Sequence, residues 1–310
     1  METRAAAGPT EFVRTVAVPP DSAQARRDGG VAAMNRGFAL LQAGQLPAAV
    51  AAYDEAVALL RAAAPAGPAD WTVSLAAALM NRGQLLHRAS GLAAADQARA
   101  AFDEAVALLE PRLPGDSPWI RRNLAGTLLN RATLALDLAD PARARADAGA
   151  ALTLAAPQAR ADRVDAELAL KSARALGGAL GRLLAAPDAD AESLAAELSD
   201  VVDDALALVR HWRDRGELAF APIEVRLFRL GAQLYRLHQP HFLAEFIREH
   251  PVGADETLRG IALEQVEAAL RAPPRAGFLV AGDPASERQL AVWRELAALR
   301  EQLARLSSTP

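Results

Sequence analysis

The chain has 310 residues, a net charge of −4, 52% hydrophobic and 23% charged side chains, and no cysteine. Such a composition folds rather than remaining disordered. It excludes disulfides and thiolate metal sites, and without a basic run it argues against nucleic acid or an anionic membrane as a partner. Aromatics are only 5%. Ala is the dominant residue, a strong helix former that buries little area, so many closely packed helices suit this chain better than one large core. No uncharged apolar stretch reaches the roughly 18 residues of a membrane span. Met1-Glu-Thr-Arg-Ala is followed by no apolar signal core, so the expected setting is the cytoplasm.

In chain order, residues 1–28 read as a flexible tail, bounded by Asp28-Gly29-Gly30, with at most one helical turn after Asp21. Helices are predicted at about 30–43 and 47–63, separated by Gly44 and Pro47. Pro65, Gly67 and Pro68 close the second of these, and Asp70 is placed to cap the next. Further pairs are predicted at 70–89 with 93–110 and at 118–138 with 141–155. Ser117-Pro118, Asp140-Pro141 and Asp283-Pro284 each put a capping side chain before a first-turn proline. Beyond Pro157 come a long helix to about 185 and another over 190–213. A pair follows at 221–237 and 240–249, then closing helices at 255–271 and 285–306. The segment Gly277–Gly282 reads as an ordered loop.

Internal repetition organises these helices. Tyr53-Asp-Glu-Ala-Val-Ala-Leu-Leu60 returns 49 residues later as Phe102-Asp-Glu-Ala-Val-Ala-Leu-Leu109. Asn35-Arg-Gly37 returns as Asn81-Arg-Gly83 and as Asn130-Arg-Ala132. The second helices share Ala49-x3-Tyr53-x2-Ala56, Ala98-x3-Phe102-x2-Ala105 and Ala144-x3-Ala148-x2-Ala151, and Leu227-x2-Leu230-Gly231 repeats the first-helix pattern. These motifs resemble the tetratricopeptide repeat, TPR, well over residues 30–157, moderately over about 221–250 and poorly over 158–213. The resemblance implies an all-α, right-handed TPR-like α-solenoid of stacked antiparallel helix pairs. Its divisions are a tail at 1–28, three repeats at 29–157, degenerate helix pairs at 158–250 and C-terminal capping helices at 251–310.

The unit is longer than the family period of 34. Tyr53 to Asn81 and Phe102 to Asn130 both span 28 residues, against about 16 in the family. The excess of about 12 residues predicts first helices longer by roughly three turns. Trp71 and Trp119 are expected to pack between neighbours near the projecting ends. Arg36, Arg82 and Arg131 replace the family's usual leucine and are expected to pair with acids such as Glu55, Glu104 and Asp147, with a ligand phosphate as the alternative.

The resemblance also implies a ligand on the concave face lined by first helices. Asn35, Asn81 and Asn130 stand at equivalent places there, and an amide both donates to and accepts from a peptide unit of any side chain. Phe38, Gln84 and Thr133 complete the candidate peptide-binding set, with Met34, Met80 and Leu129 beside them. Two alternatives stand next to this reading: each Asn bonds a neighbouring carbonyl, and the Met and Leu side chains simply pack. The chaperone-type carboxylate clamp is not matched, since Met34, Phe38 and Ala77 occupy its other places.

The expected function is therefore a non-catalytic scaffold that holds a protein or peptide segment, with no metal and no other cofactor. A second reading is self-association through the C-terminal helices, giving a homodimer. A third is a metal-dependent enzyme built on His238 and His241 with Glu245 and Glu249, although Pro240 separates the two histidines. Gly177-Gly178-x2-Gly181 follows no strand, so a close helix crossing is expected there rather than a phosphate loop.

Overall fold

The computed structural model describes residues 21–115, 117–238, 240–250, 252, 255–271 and 284–307, and among them no strand forms. Twelve α-helices make up these residues: α1 (Ala23–Gln42), α2 (Leu46–Ala63), α3 (Ala69–Ser90), α4 (Ala95–Leu109), α5 (Pro118–Asp137), α6 (Pro141–Ala155), α7 (Arg163–Leu184), α8 (Ala191–Arg213), α9 (Ala221–His238), α10 (Leu243–Arg248), α11 (Glu256–Leu270) and α12 (Pro284–Ser307). Gly277–Gly282 and Asp283 lie outside the described residues.

Consecutive helices pair antiparallel. Gly30 of α1 faces Leu60 of α2 while Gly37 faces Tyr53, so one index rises as the other falls. Each pair then stacks on the next, with α2 on α3, α4 on α5, α6 on α7 and α8 on α9. The first helices α3, α5, α7 and α9 also touch along one side. The product is an α-solenoid, closed by α11 against α9 and by α12 against α11. One apolar core runs its length through Leu60, Leu79, Leu109, Leu124, Leu170 and Leu198.

Proline sets the unit boundary. The second helices end at Ala63, Leu109 and Ala155, and Pro65, Pro111 and Pro157 each follow two residues later, inside a short 3-10 turn. A proline has no N–H to donate to the preceding turn and its ring clashes with it, so the α-helix stops. The predicted lengthening does fall on first helices: α1, α3 and α5 have 20, 22 and 20 residues, against 18, 15 and 15 for α2, α4 and α6.

Several expectations are corrected. The first helix begins at Ala23, not at 30, because the Ser22 hydroxyl accepts a hydrogen bond from Ala25 N at 3.0 Å. Gly29-Gly30 lies inside that helix rather than ending a tail. A Cβ on Gly30 would stand 2.6 Å from Leu60 Cγ, so the glycine lets α2 approach. Pro68 is the N-cap residue of α3, which puts Asp70 within the first turn. Asp140 caps α6 through Arg143 N as expected, whereas Ser117 makes no capping bond.

The two tryptophans are placed differently from each other. Trp71 covers Gly67 of its own connecting loop, where a Cβ would stand 2.0 Å from the ring. Trp119 is 63% exposed, because it sits in the first turn of α5, ahead of the buried stripe that starts at Asn123.

Candidate functional site

Close packing within each pair decides which face of a first helix is left for ligand. A Cβ on Gly37 would meet the Tyr53 ring at 3.0 Å, and one on Gly83 would meet the Phe102 ring at 2.7 Å. Where the aromatic shrinks to Ala148, the glycine becomes Ala132, and both are fully buried. The glycine–aromatic pairing returns in α9 and α10 as Gly231 beside Phe246, at 2.5 Å. The Asn stands two residues before each small residue. A helix turns about 100° per residue, so that step carries the amide about 200° round, away from the partner helix. Phe38, Gln84 and Thr133 stand one turn further along the same face.

The structure brings Asn35, Asn81 and Asn130 to the same helical place, the thirteenth residue of α1, α3 and α5. Asn35, Phe38 and Gln84 are exposed and Asn81, Asn130 and Thr133 partly so; Phe38 presents 58% of its surface. Among the described residues, none of the three Asn side chains has a hydrogen-bond partner. Thr133 differs, since its hydroxyl donates to Leu129 O at 2.9 Å. Beside the amides, packing prevails as the alternative held: Met34 rests against the core, Leu129 is buried, and Met80 Sδ lies 3.5 Å from the Cβ position of Gly126.

The arginine next to each Asn turns the other way and ties helices together, within the first unit at Arg36 and between units at Arg82 and Arg131. Arg36 pairs with Glu55 at 2.5 Å, as expected. Arg82 reaches back to Asp54 of the preceding unit at 2.5 Å, not to Glu104, which Arg61 takes at 2.7 Å. Arg131 makes the same backward contact to Asp103 at 2.8 Å and adds Asp147 at 2.6 Å. The aspartate of the repeated octapeptide is thus the acceptor for the next unit's arginine. That role was missed, although the 28-residue step from Asp54 to Arg82 and from Asp103 to Arg131 is visible in the chain. All three guanidiniums are engaged by acids within the fold.

The amide row ends with α5. Gly177 crosses α9 closely, as expected, with its Cβ position 2.5 Å from Leu230. Two residues before it stands Ala175, which is buried; two before Gly231 stands Arg229, paired with Glu264 at 3.6 Å. The aspartate lock ends there too, since Gly149 follows Ala148 where Asp103 follows Phe102.

The histidine and carboxylate constellation does not converge. His241 lies in a 3-10 turn and lines a cleft with Arg236 and Trp293, whereas Glu245 and Glu249 line another with Ser199, Asp203 and Tyr235. In that second cleft Tyr235 donates to Asp203 at 2.9 Å and meets the Ser199 hydroxyl at 2.6 Å. Burial pushes the Tyr235 phenol up to about 12 and raises the Asp203 carboxyl, which holds the phenol protonated as a donor. Nothing in the sequence marked this cluster, because its members come from three turns of α8 and α9 with no shared motif.

No known family model and no curated protein matches this chain. Solved structures similar to it include two of one protein. The nuclear import adaptor Nro1 of S. pombe aligns with a TM-score of 0.37 and 10% identity, over 88% of this chain and 99% of that chain. A second structure of Nro1, described as a hypoxic regulator of sterol synthesis and nuclear import adaptor, aligns with a TM-score of 0.40 and 14% identity, over 93% and 94%.

Proposed function

We propose that this chain is a non-catalytic, cytoplasmic TPR-type scaffold that holds an extended protein segment on the face formed by α1, α3 and α5. The observation that carries the reading is the row of three equivalent amides at Asn35, Asn81 and Asn130, without partners among the described residues. Each supplies a donor and an acceptor, the complement of one peptide unit. Exposed Phe38 and Gln84 adjoin the row, offering one apolar and one polar contact. A static helical face that costs little reordering on binding suits such a segment.

The test is affinity capture with the wild type and with Asn35→Ala/Asn81→Ala/Asn130→Ala. We expect the variant to keep its helical circular dichroism and lose its captured partners. Equal recovery from both proteins would sink the reading.

Self-association is a second reading, favoured by a different observation from the C-terminal helices first considered. Trp119, Val164 and Leu218 are 63%, 50% and 68% exposed, at or just before the starts of α5, α7 and α9. Arg122–Asp162 at 2.8 Å and Arg163–Glu217 at 2.7 Å tie those starts together, so the three form one apolar edge. Light scattering at high concentration decides it: a dimer that Trp119→Ser abolishes supports self-association, and a monomeric wild type removes it.

A further inference from the structure

Where the amide row ends, the first-helix side becomes basic. Arg174 of α7 and Arg226 of α9 are both exposed, and among the described residues neither has an acidic partner. Most arginines further up the stack are neutralised; these two instead lie within electrostatic reach of each other. The crossing of Gly177 against Leu230 fixes the geometry. Arg174 lies one turn before Gly177 and Arg226 one turn before Leu230, on helices that run the same way. Arg174 is held below the usual arginine range first by partial desolvation and second by the charge of Arg226. Like charges brought together in one fold cost stability unless something neutralises them. Among the described residues no acid does so, in a chain whose net charge is −4.

The backbone beside them is bare. Gly178 and Gly181 stand one and two turns beyond Arg174 on the same stripe of α7. A Cβ at Gly178 would meet only Leu136, at 3.8 Å, and one at Gly181 would meet nothing within 4 Å. A ligand main chain can therefore lie against α7 at van der Waals distance within reach of both guanidiniums. Lys171, one turn before Arg174, is occupied by Glu167 at 2.5 Å and does not add to the site.

We propose that Arg174 and Arg226 form an anion-binding point for the carboxylate side chains of an acidic peptide segment, continuous with the amide row of α1, α3 and α5. This rests on the peptide-binding reading of that row and adds a selectivity to it. The amides grip a backbone of any sequence, while the paired arginines require acidic residues in the part that crosses α7 and α9. Guanidinium forks match carboxylates two hydrogen bonds at a time, so two arginines accommodate a short acidic run.

The test uses fluorescein-labelled hexaglutamate as the probe, with fluorescence anisotropy at low ionic strength. The full-length proteins compared are the wild type, Arg174→Gln/Arg226→Gln and Asn35→Ala/Asn81→Ala/Asn130→Ala. We expect the arginine variant to bind about tenfold more weakly, the yield of two charged contacts near the surface. Binding should weaken as salt shortens the screening length. The asparagine variant separates the two ideas. If it keeps hexaglutamate but loses captured partners, both stand. If it keeps both hexaglutamate and partners, the amide row fails and the anion point survives. Unchanged affinity in the arginine variant overturns the anion point, as does equal loss with an Arg88→Gln/Arg160→Gln control. A dT12 oligonucleotide that binds the wild type more tightly than hexaglutamate would overturn the peptide assignment. A second readout needs no ligand: Arg226→Gln alone should raise the melting temperature, and a lowered one would contradict the unrelieved repulsion.

Discussion

Exposure sets the worth of each repeated ion pair at the level of single residues. Arg82 and Asp54 leave 24% and 48% of their side chains in water, while Arg131 and Asp147 leave 15% and 7%. Each ties a first helix to a second, across units in one case and within a unit in the other, but the first is screened and the second is not. We predict that Asp147→Ala costs about 2 kcal/mol in urea unfolding, since it removes both bonds of the buried partner and leaves Arg131 only the more exposed Asp103. Asp54→Ala should cost about 0–1 kcal/mol. Similar losses from the two would show that burial does not decide the pair's value. A backbone position gives the opposite sign. Gly44 and Ala139 both have positive φ, at 73° and 57°, where the chain turns from a first helix to a second. The bonds Gln45 N to Leu40 O and Asp140 N to Ala135 O close both turns in the same way. Only glycine enters that region without steric penalty, so Ala139→Gly should stabilise the protein by about 1 kcal/mol. A lower melting temperature for Ala139→Gly would mean that its greater unfolded-state entropy wins.

For whole helices, the chain's punctuation was legible and its partnerships were not. Gly44, Pro47, Pro65 and Pro141 marked helix ends because their backbone chemistry acts locally. Register between units is not local. Which aspartate Arg82 reaches depends on how far one pair slides along the next, and Gly29-Gly30 reads as a break until Leu60 is seen to need the space. The α9–α10 pair shows a consequence that only assembly reveals. His250 is buried against Phe228 and Phe246, and its Nδ1 donates to Phe246 O at 2.6 Å. That leaves Nε2 buried without a partner among the described residues. Burial holds the imidazole below its ordinary range, assisted by Arg210 and Arg213 and opposed by the Phe246 carbonyl and Glu249. The unfolded chain therefore takes up a proton that the native one resists. Stability should be full above the ordinary histidine value of about 6.5 and fall as pH drops below it. The slope for one such group cannot exceed about 1.4 kcal/mol per pH unit. Denaturant unfolding at pH 7 and pH 5.5 should show that loss for the wild type and not for His250→Phe. An equal loss in both would assign the slope to other groups.

The whole molecule behaves as a chain of neighbours. Among the described residues α1 and α2 pack chiefly on each other and on α3 of the next unit. Stability in such a stack is a sum of unit and interface contributions, so damage need not spread. Tyr53 is the place to apply it, being 2% exposed between Gly37 of its own unit and Leu85 of the next. Tyr53→Ala removes a buried aromatic and should cost about 3–5 kcal/mol locally. If α1 and α2 open as a unit, native-state hydrogen exchange will speed up across 23–63, less so in α3, and stay unchanged from α7 to α12. The same opening withdraws Asn35 and Phe38 from the binding face while Asn81, Asn130, Arg174 and Arg226 keep their places. Hexaglutamate affinity should then be preserved in Tyr53→Ala, whereas partner capture weakens. Uniform acceleration of exchange in all helices would instead make the solenoid a single cooperative body, in which no part of the face can be lost alone.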